Sequence, residues 1–362
     1  MKQKTLIILI IVIFLFNYCY SYKALAGLWE TDLIQVLNLD DDGNLSIEQT
    51  INLTTTAEQI AVSPNGRFAF SHSASIHAYT IDKNQNVTYI GDPYGSQVGD
   101  LTITTDLKYI IFTGWPGGIS GYHLYKINND LSLTSTGSCI PYSDTLSAPQ
   151  GFQESIINNT IIADNSQHQE IAVFRRNEDV LFDTGVRIDI TPYRGNGDLI
   201  ITSNGRFCYI AGTDPYGIVY CEILTNGDVI YKGVAVENVG GHTTPELTIT
   251  SDSKYLLMID SYKDPYKIRT YRIEMDGSLT LVFTIDNMEL AQAIDLTPDN
   301  KYLVVAWNYT SSTQTISVFR LYSDGTLEKL DKDQTIPGGF SDIRFIPPYV
   351  TSADDEIWEM YK

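Results

Sequence analysis

Bases are scarce in this 362-residue chain: 24 lysines and arginines stand against 44 aspartates and glutamates, a formal charge of -20. A surface of that sign argues against nucleic acid or anionic membrane as a partner, since both are held by basic patches. Histidine (5) and cysteine (4) are also few. His72, His77, His123, His168 and His242 show no paired metal spacing, and the HExxH, CxxC, GxSxG and P-loop signatures are absent. Long charged helical stretches are missing too. Tyrosine (24), glycine (26) and proline (13) are plentiful, which favours strands and turns. The expected class is all-β.

Long apolar runs are limited to Leu6 to Phe16, behind Lys2 and Lys4. That run is too short to span a bilayer with polar flanks and reads as a cleaved secretory signal. The mature protein is therefore expected to be secreted, extracellular and monomeric, with no membrane span. Small-x-small cleavage positions fall after Ser21 and after Ala26. Beyond the signal, Cys139, Cys208 and Cys221 remain, an odd number in a compartment that permits disulfides.

What the chain does contain is a repeat. "VSPNGRFAF" recurs as "ITTDLKYII", "ITSNGRFCY", "ITSDSKYLL" and "LTPDNKYLV", with a decayed copy "ESIINNTII" and a truncated one "FIPPYV". Its first hydroxyl falls at Ser63, Thr104, Ser155, Thr202, Thr250 and Thr297, with Ile346 in register for the last. A polar turn followed by an apolar residue forms a second landmark, at Leu45, Val87, Leu133, Val180, Val229, Leu279 and Leu327. Each landmark counts seven and the two interleave. Short alternating strands lie between them, four to each repeat of roughly 40 to 50 residues, the pattern of a β-propeller blade. The fold expected is a seven-bladed β-propeller over residues 22–347, preceded by a signal at 1–21 and followed by a tail at 348–362. The chain opens with strands two to four of a blade and ends with an inner strand, "FSDIRFI". Pairing that strand with the first three closes the ring, which favours cleavage after Ser21 because cleavage after Ala26 removes most of a strand.

These segments resemble the lactonase-type seven-bladed propeller family, similar to bacterial 6-phosphogluconolactonase and related secreted repeat proteins. The resemblance rests on the hydroxyl-to-lysine-tyrosine segment and the aspartate-glycine-x-leucine turn, and runs from about residue 23 to 347. It implies an arginine-histidine pair where an inner strand begins, with the histidine four residues before the hydroxyl landmark. That position is here Gln59, Asp100, Gly151, Asp198, Glu246, Ala293 and Asp342, and no blade carries the pair.

Four of those seven residues are acidic, so the expected ligand-binding set is Gln59, Asp100, Asp198, Glu246 and Asp342. Carboxylates converging on an axis repel one another, and a cation relieves the repulsion. Asp100, Asp198, Glu246 and Asp342 are accordingly the candidate ligands for Ca²⁺, the one cofactor considered. The bland alternative has these acids capping turns or pairing with Arg344. A second calcium candidate, "LDDDGNLSIEQ", places Asn38, Asp40 and Asp42 as ligands when Gly43 is sixth, but puts Gln49 where a bidentate glutamate belongs. It reads better as a hairpin.

Cys208 and Cys221 flank the "GTDPYG" hairpin and face each other by counting from its tip, which makes them a candidate disulfide. Asn44, Asn52, Asn86, Asn158 and Asn308 begin N-x-Ser/Thr sequons and are candidate glycosylation sites. Three functions fit. The first expectation is a secreted binding or interaction module whose acidic funnel takes a small-molecule, carbohydrate or protein ligand. The second is a lactone or sugar-acid hydrolase or isomerase, with His242 or Glu246 as general base and Arg344 holding a carboxylate or oxyanion. The third is an extracellular protein-protein scaffold.

Overall fold

The computed structural model describes residues 21–349 apart from 29–30, 97, 145, 148, 150, 194, 214–215, 240–245, 261–265, 290, 308–312 and 338. The expected signal up to Tyr20, His242, Asn308 and the tail beyond Tyr349 lie outside the described residues.

Seven antiparallel sheets form a ring, each running from an innermost to an outermost strand. The innermost strands of the first six blades are Gln59–Val62, Val98–Ile103, Phe152–Glu154, Gly195–Ile201, Leu247–Ile249 and Ala291–Leu296. The seventh blade closes the ring as expected. Its inner strand Phe340–Phe345 pairs with Tyr22–Leu28, which pairs in turn with Leu33–Leu39 and then Leu45–Asn52. The sixth blade departs from the four-strand expectation. Its outer edge is split into Leu327–Lys329 and Gln334–Pro337, both on Thr313–Leu321, because the chain leaves the sheet around Lys332 to donate to the Asp42 carbonyl of the next blade at 2.6 Å.

Local chemistry explains why each repeat folds this way. The hydroxyl landmark ties the hairpin between strands one and two. Thr250 Oγ1 accepts from the amides of Lys254 at 3.0 Å and Tyr255 at 2.9 Å, and Thr297 does the same for Tyr302. In the decayed copy the hydroxyl is used differently: Ser155 Oγ accepts from Ile157 N at 3.0 Å and donates to the Gly205 carbonyl of the next blade at 2.9 Å.

The outer turn carries the second landmark. In "LDDDGNLSIEQ" Asp40 Oδ1 accepts the amides of Asp42 and Asn44, while Oδ2 accepts the Asn44 side chain, so the carboxylate serves the turn. Gly43 holds a φ of +82°, and a Cβ there would lie 2.5 Å from Leu330 Cδ1 of the sixth blade. The hairpin reading of that segment stands, and the turn doubles as a contact between blades.

Burial lies between the blades. Seven apolar clusters occupy the seven blade junctions; the one between the sixth and seventh blades contains Leu37, Leu39, Tyr302, Val304, Phe340 and Ile343. Side chains such as Phe340, 0% exposed, contribute about 1.5–3 kcal/mol each by leaving water. A ring gains that only when every junction is filled, so closure and core are one event.

The expected disulfide is not there. Cys208 and Cys221 are direct register partners, as Ala211 and Ile218 are, yet both are free thiols at 0% exposure. They pack as small apolar groups with Ile210 and Val219 in the layer between the third and fourth blades. Burial raises both thiols, Cys221 to about 12 and Cys208 well above its ordinary value, so neither is an activated thiolate.

Candidate functional site

The innermost strands are parallel to the ring axis, and their alternation aims every second residue inward. One tier is the position singled out from sequence, four residues before the hydroxyl. The next tier lies two residues on: Ala61, Thr102, Gln153, Ile200, Thr248, Asp295 and Arg344. Gln59, Asp100, Asp198 and Asp342 of the first tier and Gln153, Asp295 and Arg344 of the second line a channel of about 380 Å³. Glu246 joins them through its charge interactions with Asp198, Asp342, Asp295 and Arg344.

The first-tier acids do two things at once. Asp100, Asp198 and Asp342 each accept a backbone amide from the next blade. Asp342 Oδ2 takes Ile60 N at 2.8 Å, Asp198 Oδ2 takes Leu247 N at 3.2 Å, and Asp100 takes the Phe152 amide. The second tier repeats the device one step deeper, with Gln153 Oε1 on Ile201 N at 2.8 Å and Asp295 Oδ2 on Phe345 N at 2.6 Å. None of the described residues donates a hydrogen bond to the Glu246 carboxyl, which leaves it the least engaged acid of the ring. Gln59 is held from behind by His72 Nε2 at 2.9 Å, and burial pushes that imidazole down to about 4, so it stays neutral.

Five carboxyl groups therefore face one guanidinium. Arg344 Nη2 lies 3.4 Å from Asp342 Oδ1. Burial opposes its charge, but Asp342, Asp295, Asp198 and Glu246 more than offset that and hold it firmly protonated. The acids move the other way. Burial pushes Asp295 up to about 6 against the pull of Arg344, and it also raises Asp342. Asp198 is raised by burial and then by Asp342, and Glu246 is raised well above the usual range by burial and then by Asp198. Asp100 follows, through burial first and the Asp198 charge as well. Among the described residues no three of His, Cys, Asp and Glu are placed to hold one ion. Asp100, Asp198 and Asp342, three of the four acids expected to bind Ca²⁺, each turn a carboxylate oxygen to a backbone amide of the next blade instead.

Comparison with known sequences decides the family. The sequence model of the lactonase, 7-bladed beta-propeller family matches residues 23–339. The chain belongs to that family. Solved structures agree on the fold. A lactonase-fold protein from Bacteroides fragilis NCTC 9343, provisionally a 6-phosphogluconolactonase, is 17% identical with a TM-score of 0.73, covering 90% of this chain and 98% of its own. A similarly provisional 6-phosphogluconolactonase from Bacteroides uniformis ATCC 8492 is 15% identical with a TM-score of 0.74, over 90% and 99%. The periplasmic gluconolactonase of Pseudomonas aeruginosa is 16% identical with a TM-score of 0.70, over 90% and 99%. Likeness at these identities speaks to the fold. No curated protein matches the chain.

Sequence reasoning brought together Gln59, Asp100, Asp198, Glu246, Asp342 and Arg344 but missed Asp295 and Gln153. The signal was available, because both stand two residues after a position already chosen and share its inward face.

Proposed function

We propose that this lactonase-family propeller hydrolyses the lactone of an uncharged sugar acid in its central channel. The observation that carries the reading is Arg344 set against carboxyl groups whose proton affinities have been driven apart. A fixed guanidinium suits the oxyanion that forms as water adds to a lactone carbonyl. Asp295, titrating at about 6, is ionised at neutral pH and takes the proton of the attacking water. Glu246, whose hold on its proton is strengthened by burial and by Asp198, returns a proton to the ring oxygen as the C–O bond breaks. His242 is a further candidate outside the described residues.

Sign of charge sets the substrate class. Arg344 already faces the ionised carboxylates of the channel, so no spare positive charge is left to hold a phosphate, whereas a neutral lactone needs none. Gluconolactone, the substrate class named for the Pseudomonas relative, is therefore the better probe. Export fits the same reading, given the amino-terminal signal-like segment and that relative's periplasmic location. Asn44, Asn52, Asn86 and Asn158 are exposed, so glycans could be accepted there in a eukaryotic host.

A second reading keeps the channel as a binding site for a neutral or cationic ligand, such as a carbohydrate or the side chain of a partner protein. It is favoured by the staples, which give the acids a structural reason to exist, and by the missing arginine-histidine pair. Lactone depletion above the spontaneous rate separates the two. Turnover of gluconolactone exceeding that of its 6-phosphate, with kcat falling about 10²- to 10³-fold in Arg344→Met, is expected. No acceleration over buffer by folded protein would sink the enzyme reading, and calorimetric binding without turnover would leave the binding module.

A further inference from the structure

A second constellation lies on the outer half of the first blade, away from the channel lining. Residues 53–58 carry the chain from the outer strand of the closing blade to Gln59, and their Thr55 hydroxyl sits 3.1 Å from His77 Nε2. His77 Nδ1 is 2.7 Å from Asp92 Oδ1. A carboxylate on Nδ1 fixes the proton there, which leaves Nε2 as the acceptor of the Thr55 hydroxyl. Ser75 Oγ, 3.0 Å from Thr55 Oγ1, extends the relay by one more hydroxyl.

The backbone is shaped for this. Pairing between Ile76–Ile81 and Val87–Tyr94 breaks register on both sides of Ala78, so His77 and Asp92 are skipped in that pairing, although His77 pairs with Ser71 on its other side, and their side chains meet. Bulges of this kind re-aim side chains. Asp92 is anchored further by Thr54 at 2.5 Å and by the Tyr89 hydroxyl. Against the upward push of burial, these bonds and the one from His77 hold its carboxyl below the usual range. His77 is fully buried, while Thr55 is partly exposed. A packing role needs only that a buried imidazole be satisfied. It does not need a partly exposed hydroxyl at one nitrogen and an anchored carboxylate at the other. The matching histidine of the second blade, His123, lacks both. It meets the Ile119 carbonyl at 3.0 Å and the Cys139 sulfur at 3.7 Å.

We propose that Thr55, His77 and Asp92 form an acyl-transfer site distinct from the channel, with Thr55 as nucleophile toward small carboxylic esters. His77 Nε2 takes the Thr55 proton as Oγ1 bonds to the acyl carbon. The ester C–O bond then breaks, and the departing alcohol takes the proton back from Nε2. Water repeats the sequence in the second half, releasing the acid and restoring the hydroxyl. Asp92 holds the imidazolium between the two transfers, and the Thr56 carbonyl, 3.4 Å from Nε2, accepts its N–H bond.

The test uses the purified full chain with p-nitrophenyl acetate and with a fluorophosphonate probe, read by intact mass and peptide mapping. One acyl or phosphonyl group on Thr55 is expected, lost in Thr55→Val and slowed at least about 10²-fold in His77→Gln and Asp92→Asn. Thr55→Ser retains labelling. Ser73→Ala, which removes a hydroxyl bonded to Thr56 and Glu58 beside the relay, labels at the wild-type rate. Should any variant fail to fold, Thr55→Ser against Thr55→Val, both checked by melting temperature, decides the matter. Wild-type protein that stays unlabelled while folded, or equal labelling of Thr55→Val, overturns the proposal.

Discussion

Asp342 Oδ2 accepts the backbone amide of Ile60 at 2.8 Å, joining the last inner strand of the chain to the first. The same carboxylate faces Arg344 across 3.4 Å and the channel beyond it. Removing it in Asp342→Ala strands a buried amide and takes away the nearest counter-charge of a half-buried guanidinium. A loss of about 2–4 kcal/mol is expected in urea unfolding, with Asp342→Asn recovering part of it through its amide oxygen. Equal stability of all three proteins would show that the junction is held by apolar packing alone.

The amino-terminal strand is the other half of closure. Protein starting at Tyr22 retains every pair from Ala24↔Phe345 to Leu28↔Phe340, whereas protein starting at Gly27 keeps only the last two of those pairs. The longer form is expected to be monomeric with one cooperative unfolding transition. The shorter one, with unpaired strand edges on both sides of the gap, is expected to aggregate. Light scattering and calorimetry on the two forms compare them directly.

Channel acidity gives stability an unusual dependence on pH. Asp295, with Asp100, Asp198, Glu246 and Asp342, binds its proton more tightly in the folded state than in the unfolded chain. Raised carboxyl groups contribute stability that is complete below the ordinary range near 4 and is lost as pH climbs through about 6. The turn acids Asp40 and Asp82 work in the opposite sense. Their bonds to Asn44 and Asn86 outweigh the upward push of burial, so what they contribute is lost only as pH falls below that range. Wild-type protein is therefore expected to be more stable at pH 5 than at pH 7.5, and Asp295→Asn to flatten the difference by about 1.4 kcal/mol. The comparison with Asp295→Asn separates this site from the general repulsion of a chain carrying -20. Identical slopes for the two proteins would be the contrary result.

Turn glycines on the outer edge are a separate joint. Gly277 holds a φ of +84°, and a Cβ there would lie 2.5 Å from Phe207 Cδ1 of the preceding blade. Gly277→Ala is expected to cost about 2–4 kcal/mol, against about 1 kcal/mol for Gly137→Ala, where φ is +77° but no atom lies within 4 Å. Chemical denaturation of the pair isolates the steric part from the backbone part.

Much of this architecture was legible because both landmarks are local devices. A hydroxyl that ties Thr250 to Tyr255, or a glycine that lets the turn at Gly43 form, leaves its mark within a few residues, and seven repetitions make the count secure. The inward position of Asp100, Asp198 and Asp342 was legible for the same reason. Their partners were not, because the amides they bind belong to another blade, 49 residues away for Asp198 and 282 for Asp342, and carry no side-chain signature. Cys208 and Cys221 show a related limit. Counting from the hairpin tip gave their register correctly, but facing positions do not determine oxidation when both sulfurs lie inside an apolar layer. Thr55, His77 and Asp92 come from three segments and meet only through a bulge, so no spacing in the sequence announces them.

The staples have a consequence for how such a protein can change over generations. In this ring the groups that face the channel are also the rivets between neighbouring blades, so a substitution that retunes Asp198 or Asp342 loosens Leu247 or Ile60 as well. Natural variants with altered selectivity are therefore expected to differ first in the loops above the channel and at Glu246, the one acid that rivets no described residue. A laboratory selection for a new lactone, left free to mutate the whole chain, should accumulate its early changes there.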